Sequence, residues 1–201
     1  MTYYTLSDPC IATLEIKKSQ FLGFGFAIDS REQLMFHVEQ LRNQYPDARH
    51  VCYGYIIGDP HNTTSAGFDD DGEPSGTAGK PILNVLQHKG IGNCVVIVVR
   101  YFGGIKLGAG GLTRAYSSTA QAVVDNMNLQ EFVPLSVILI ETDFANESFV
   151  RHTLDGFNAT ILKVDYGKNV VLTVELAQKS VQVLSEKIGF YGNVKASEEP
   201  K

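Results

Sequence analysis

Two stretches near the amino end alternate apolar and polar residues at the period of an extended chain: IATLEI over Ile11–Ile16 and FLGFGFAI over Phe21–Ile28. Side chains along a strand point to opposite faces in turn, so this alternation marks strands with one buried side. The short polar break at Lys17–Gln20 predicts that they form a hairpin. The period then changes to that of a helix, with Leu34, Val38 and Leu41 on one face, Ser30 and Gln33 as a capping pair, and Pro46 as the stop. His50–Ile57 reads as a strand, and Gly58–Gly76, rich in Asp, Pro, Asn, Thr, Ser and Gly, reads as one long loop. A loop of that length inside a domain is usually either functional or disordered. Lys80–His88 predicts a helix through Ile82, Leu83, Val85 and Leu86, stopped at Gly90. Asn93–Val99 is apolar on both faces and is expected at the centre of a sheet. A glycine loop over Gly103–Gly111 and a helix over Leu112–Met127 follow.

Beyond Gln130–Pro134 the order becomes strand Leu135–Thr142, helix Asn146–Leu154, strands Ala159–Tyr166 and Val170–Leu176, helix Lys179–Ile188 and strand Phe190–Ala196. That β-α-β-β-α-β succession is the split-βαβ, ferredoxin-like arrangement. The expected class is therefore α+β in two domains, residues 1–133 and 134–201.

Composition narrows the function. With 201 residues and 44% hydrophobic content the chain can bury two modest cores, and a net charge of −5 argues against unselective nucleic-acid coating while leaving room for a local basic patch. Three cysteines, Cys10, Cys52 and Cys94, are too few and too scattered for a disulfide framework or zinc site, which fits a reducing cytoplasm. The longest apolar run, Cys94–Val99, is far short of a membrane span, and no signal-peptide core precedes it. No membrane partner is expected, and a monomer is compatible with the sequence.

Candidate chemistry concentrates in two stretches, DDDGEPSGTAGKPIL at Asp69–Leu83 and VVRYFGGIKLGAGGLTRAY at Val98–Tyr116. Gly79-Lys80 resembles the end of a phosphate-binding P-loop, but Pro74 replaces its first glycine and Pro81 its hydroxyl residue, so that motif is rejected. GAGGLT at Gly108–Thr113 likewise misses the dinucleotide fingerprint, because Thr113 takes the third glycine's place. What remains is a glycine-rich turn of Gly103, Gly104, Gly108, Gly110 and Gly111 opening a helix, flanked by Lys106 and Arg114. Free N–H groups at the positive end of a helix favour an anion, above all a phosphate; the alternative is a tight turn at a strand end. Arg100 either points into the same cleft or pairs with a loop carboxylate. Asp69, Asp70, Asp71 and Glu73 either help hold a divalent cation such as Mg2+, or lie in a solvated loop or cap the following helix. His50, beside Cys52, is a core or ligand-contacting residue, and Tyr101 with Phe102 offers either core packing or a platform for an RNA base. No catalytic residue is assigned.

KKSQF at Lys17–Phe21, DARHVCYGY at Asp47–Tyr55, DDGEPSGTAGKPIL at Asp70–Leu83 and VVRYFGGIKLGAGGLTRAYS at Val98–Ser117 together resemble the IMPACT family, in its bacterial YigZ-type branch. The resemblance implies a first domain with the ribosomal-protein-S5-domain-2-like fold, shared with domain IV of elongation factor G and the GHMP kinases. It implies a second domain like the last domain of elongation factor G. Eukaryotic members carry an extra amino-terminal module and restrain the amino-acid-starvation kinase. The motifs here begin at Lys17, so that module and role are not expected.

Two readings follow. One is a binding module linked to translation, contacting RNA or a ribosome-associated partner through a cleft in which Asp70, Asp71 and Glu73 face Lys80, Arg100, Lys106 and Arg114. The other is a binder of a small phosphorylated ligand or nucleotide, with a phosphoryl-transfer enzyme as its extreme form. In that form Lys80 would neutralise charge and Asp71 or Glu73 would act as base.

Overall fold

In the computed structural model, which describes residues 3–196, the chain first forms β1 (Tyr3–Leu6), β2 (Cys10–Ile16), β3 (Ser19–Ala27), α1 (Arg31–Gln44), β4 (His50–Asp59) and β5 (Asn62–Asp69). It continues through α2 (Gly79–Lys89), β6 (Cys94–Tyr101), α3 (Ala109–Asp125) and β7 (Leu129–Phe132). Five of these strands make an antiparallel sheet in the order β2-β3-β6-β4-β5. The most apolar strand, β6, takes its centre, buried along all but its last residue.

Alternation along β6 sorts the layers. Cys94, Val96 and Val98 join Ile82 and Leu86 of α2 and Leu112, Tyr116 and Val123 of α3 in one core. Val95, Ile97 and Val99 turn to the other face and pack with Leu34, Val38 and Leu41 of α1. Each such fully buried side chain stabilises the fold by about 1.5–3 kcal/mol. α1 starts where Ser30 Oγ accepts from the Gln33 N–H, as the capping pair predicts, although Gln33 Oε1 reaches back one residue further, to the Asp29 N–H. α2 stops at Gly90 in the left-handed conformation, φ 65°.

Three features depart from the sequence reading. Asn62–Asp69 is a strand, β5, within the segment expected as loop. It is an exposed edge strand whose residues, NTTSAGFD, carry no apolar alternation to reveal it. α3 begins at Ala109, earlier than Leu112, and takes in Gly110 and Gly111. β1 and β7, unforeseen, pair antiparallel, with the Tyr3 and Phe132 rings stacked at 4.8 Å.

The chain divides into two units between Phe132 and Val133. The second unit contains β8 (Leu135–Thr142), α4 (Glu147–Asp155), β9 (Thr160–Tyr166), β10 (Val170–Ala177), α5 (Val181–Ile188) and β11 (Asn193–Ala196). A short 3-10 turn, Gln178–Ser180, precedes α5, and another, Gly189–Tyr191, takes the place of the expected start of the last strand. The sheet order is β11-β8-β10-β9, antiparallel throughout. Every second residue of β10 is buried: Val170, Leu172, Val174 and Leu176 face Val150 and Leu154 of α4 and Leu184 and Ile188 of α5. No helix among the described residues is long and apolar enough to cross a membrane.

Candidate functional site

The alternation that buries Val96 and Val98 against α2 and α3 sends Arg100, two residues on, to the same face. Strand register then sets its neighbours, with Phe21 of β3 opposite Arg100 on one side and His50 of β4 opposite it on the other. The guanidinium lies 5.4 Å from the Phe21 ring centre and 5.7 Å from that of Phe102. Its Nη1 pairs with Glu73 Oε1, delivered by the turn before α2, and both residues are buried. Tyr116 of α3 donates to the same carboxylate at 2.8 Å, and His50 Nε2 stands 4.0 Å away. Burial pushes the Tyr116 hydroxyl up, so it keeps the proton it donates. Ser19 Oγ accepts from Arg100 Nη2 at 3.5 Å and from the Gly103 N–H at 3.1 Å. Among the described residues Arg100 Nε has no partner.

The acidic stretch therefore does not act as one cluster. Asp70 receives three backbone N–H groups, from Gly76 at 2.6 Å, Ala78 at 3.0 Å and Gly79 at 2.8 Å, and so caps α2 from a distance in sequence. Asp71 accepts from the Val51 N–H at 2.6 Å and from Arg42 at 2.8 Å, while its own carbonyl meets His50 Nδ1 at 2.7 Å. Among the described residues no three His, Cys, Asp or Glu side chains converge to hold a metal ion. Cys52 is buried and its thiol is pushed up chiefly by that burial; it donates to the Asp70 carbonyl at 3.0 Å, which is not the setting of a nucleophile.

A cavity of about 340 Å3 opens over this floor. Arg49, His50, Glu73, Pro74 and Arg100 line one side, and Phe102, Lys106, Leu107 and the first residues of α3 line the other. Gly108, with φ 71°, turns the chain into α3, and no side chain caps the helix there. The first N–H groups of a helix lack acceptors of their own, so the positive end of α3 meets the cavity beside Lys106 and Arg49. With Glu73 matched to Arg100, the wall carries an excess of positive charge.

Of the residues singled out by sequence, His50, Glu73, Arg100, Lys106 and Gly108 meet at this cavity. Asp70 and Asp71 stand behind it, engaged as described. Gly103 is required by packing, because a Cβ there would overlap the Lys18 carbonyl. Gly104 and Gly110 face open space, and Gly111 abuts Leu107. Lys80 and Arg114 are exposed on their helices and do not line the cavity. Tyr101 points to the opposite face of the sheet and packs with the α1 core. Sequence reasoning missed Arg49 and did not separate Phe102 from Tyr101. The period-2 rule applied from Arg100 would have chosen Phe102.

The description "Impact N-terminal domain" matches residues 17–124, and "Domain of unknown function (DUF1949)" matches residues 140–189. The Escherichia coli "IMPACT family member YigZ" is 36% identical over 180 residues, covering 90% of this chain and 88% of the relative. A crystal structure of a protein described only as hypothetical has a TM-score of 0.73 at 33% identity, covering 99% of this chain and 98% of the other. Yih1, described as a two-domain translational regulator, is 25% identical over 62% of this chain and 47% of its own, with a TM-score of 0.35.

Proposed function

Because the chain belongs to the IMPACT family, we propose that it is a non-enzymatic binding module in translation or its regulation, and that the cavity at the head of α3 receives a phosphate of an RNA partner. The observation that carries this reading is the uncapped α3 terminus opening between Lys106 and Arg49 above the neutralised Arg100–Glu73 pair. Phosphate contacts need fixed positive charge and backbone N–H donors, and both meet here. The description of Yih1 as a translational regulator supports the setting. In the same reading the first unit takes the S5-domain-2-like fold. The second takes the ferredoxin-like one, which the sheet order β11-β8-β10-β9 supports.

A second reading keeps the site and changes the guest. A volume of about 340 Å3 suits a small phosphorylated ligand or nucleotide held without chemistry. Asp70, Asp71 and Glu73 are engaged inside the fold, which weighs against a phosphoryl-transfer enzyme with one of them as base.

Ribosome co-sedimentation from a lysate at low and moderate salt tests the RNA reading. The Arg49→Glu/Lys106→Glu protein is expected to lose association by about tenfold or more, and the wild type is expected to dissociate as salt rises. Arg114→Glu, exposed on α3 away from the cavity, should bind as the wild type does. Equal loss from both variants would point to a diffuse charge effect. No wild-type association at low salt would leave the small-ligand reading, to be followed by a nucleotide screen.

A further inference from the structure

We propose that Lys17 and Lys18, at the tip of the β2–β3 hairpin, extend the cavity into a track for the backbone of a single-stranded RNA; this rests on the RNA reading above. The pairing of Ile16 with Ser19 leaves these two residues alone in the turn, and both have positive φ, 48° and 63°. A two-residue turn with both φ values positive is the geometry that Asn-Gly fills best, because neither pays heavily for the left-handed conformation. Two lysines are a poor choice for it. Nothing in the fold offsets the mismatch: both side chains are exposed, and among the described residues neither forms an ion pair or hydrogen bond. A residue that stands against its local conformational preference, with no packing reason, points to a role outside the fold.

Position supplies the role. The Lys18 carbonyl lies against Gly103, and the next residue, Ser19, holds both the Gly103 N–H and Arg100. The hairpin tip therefore stands beside the loop that carries Phe102 and Lys106 to the cavity rim. Lys17, Lys18, Lys106 and Arg49 then gather at one end of the sheet, against Glu15 two residues before the turn, Glu73 already matched to Arg100, and Asp69, Asp70 and Asp71 at the end of β5, of which Asp70 is held by backbone N–H groups and Asp71 by Arg42 and the Val51 N–H. Phe102, 44% exposed above Arg100, offers a ring face on which an unpaired base can stack. A row of lysines beside an anion site and an exposed aromatic is the arrangement that follows a flexible polyanion while holding its bases.

The test exchanges the lysines for the residues the turn prefers. The full-length Lys17→Asn/Lys18→Gly protein is compared with the wild type by fluorescence anisotropy on a labelled single-stranded RNA of roughly 16 nucleotides, and by thermal melting. The variant is expected to melt higher yet bind RNA about tenfold more weakly at low salt. The slope of log affinity against log salt should be shallower by about 1.4, two single-strand phosphate contacts. Unchanged affinity and slope, or a lower melting temperature, would overturn the inference. The Arg49→Glu/Lys106→Glu variant keeps the two levels apart. If it loses RNA while the turn variant does not, only the track fails. If the wild type binds no RNA, track and RNA reading fail together.

Discussion

Glu73 and Arg100 are 8% and 5% exposed, and each satisfies a charge the other could not leave in a dry interior. Taking two ions out of water is costly, so such a pair is weak evidence of net stabilisation, but removing one member strands the other. Glu73→Ala should therefore lower the unfolding free energy by about 3–5 kcal/mol in urea titration. Arg42→Ala, which breaks a half-exposed pair with Asp71, should cost under about 1 kcal/mol. Comparable small losses in both would mean that water reaches Glu73. These residues also show the limit of reading chemistry from sequence. The stretch Asp69–Glu73 announced a polar site, and Arg100 was legible as either a cleft residue or an ion-pair partner; in the structure it is both. Which carboxylate pairs, which caps α2 and which joins Arg42 depends on the fold bringing β4, β6 and α3 around one turn, and no local pattern encodes that.

The connection from β6 into α3 is where glycine meets two different demands. At Gly103 a side chain would strike the Lys18 backbone, whereas at Gly110, inside the first turn of α3, a Cβ meets nothing within 4 Å. Gly103→Ala should destabilise the first unit by about 1–3 kcal/mol through forced backbone movement. Gly110→Ala should stabilise it by about 0.5–1 kcal/mol by removing freedom from the unfolded chain. Equal effects in thermal melts would contradict the packing described for the loop. The same stretch explains why elements were read unevenly. Strand β10 and helices α1 and α2 carry clear periodicity and β6 an unbroken apolar run, so all four were visible. α3 starts earlier than its pattern suggests because glycines with poor helix propensity are held helical by Leu112 and Tyr116 anchored in the core behind them. β5 hid because an exposed edge strand needs no apolar alternation, and β1 and β7 hid because four-residue strands pair across the whole length of the unit.

Each unit has a core of its own, built from β2, β3, β4 and β6 with α1–α3 in the first and from β8–β11 with α4 and α5 in the second. The βαββαβ order of the second unit was readable because each of its elements is local and periodic, while the layering of the first required knowing that β3 and β4, far apart in sequence, both pair with β6. A unit with its own core should unfold on its own terms. Residues 134–201, expressed alone, are expected to show a cooperative transition, with a stability of only about 3–5 kcal/mol, the usual yield of a single core of that size. The ten buried side chains that supply it are all drawn from within the unit. In the full chain, Val174→Ala should then lower the second unit's transition while leaving the first where it is, and Glu73→Ala should do the reverse. A fragment without a cooperative transition, together with substitutions that shift both transitions equally, would mean that the second core is completed by the first unit. The boundary at Phe132–Val133 would then mark a division of contacts without marking a division of stability.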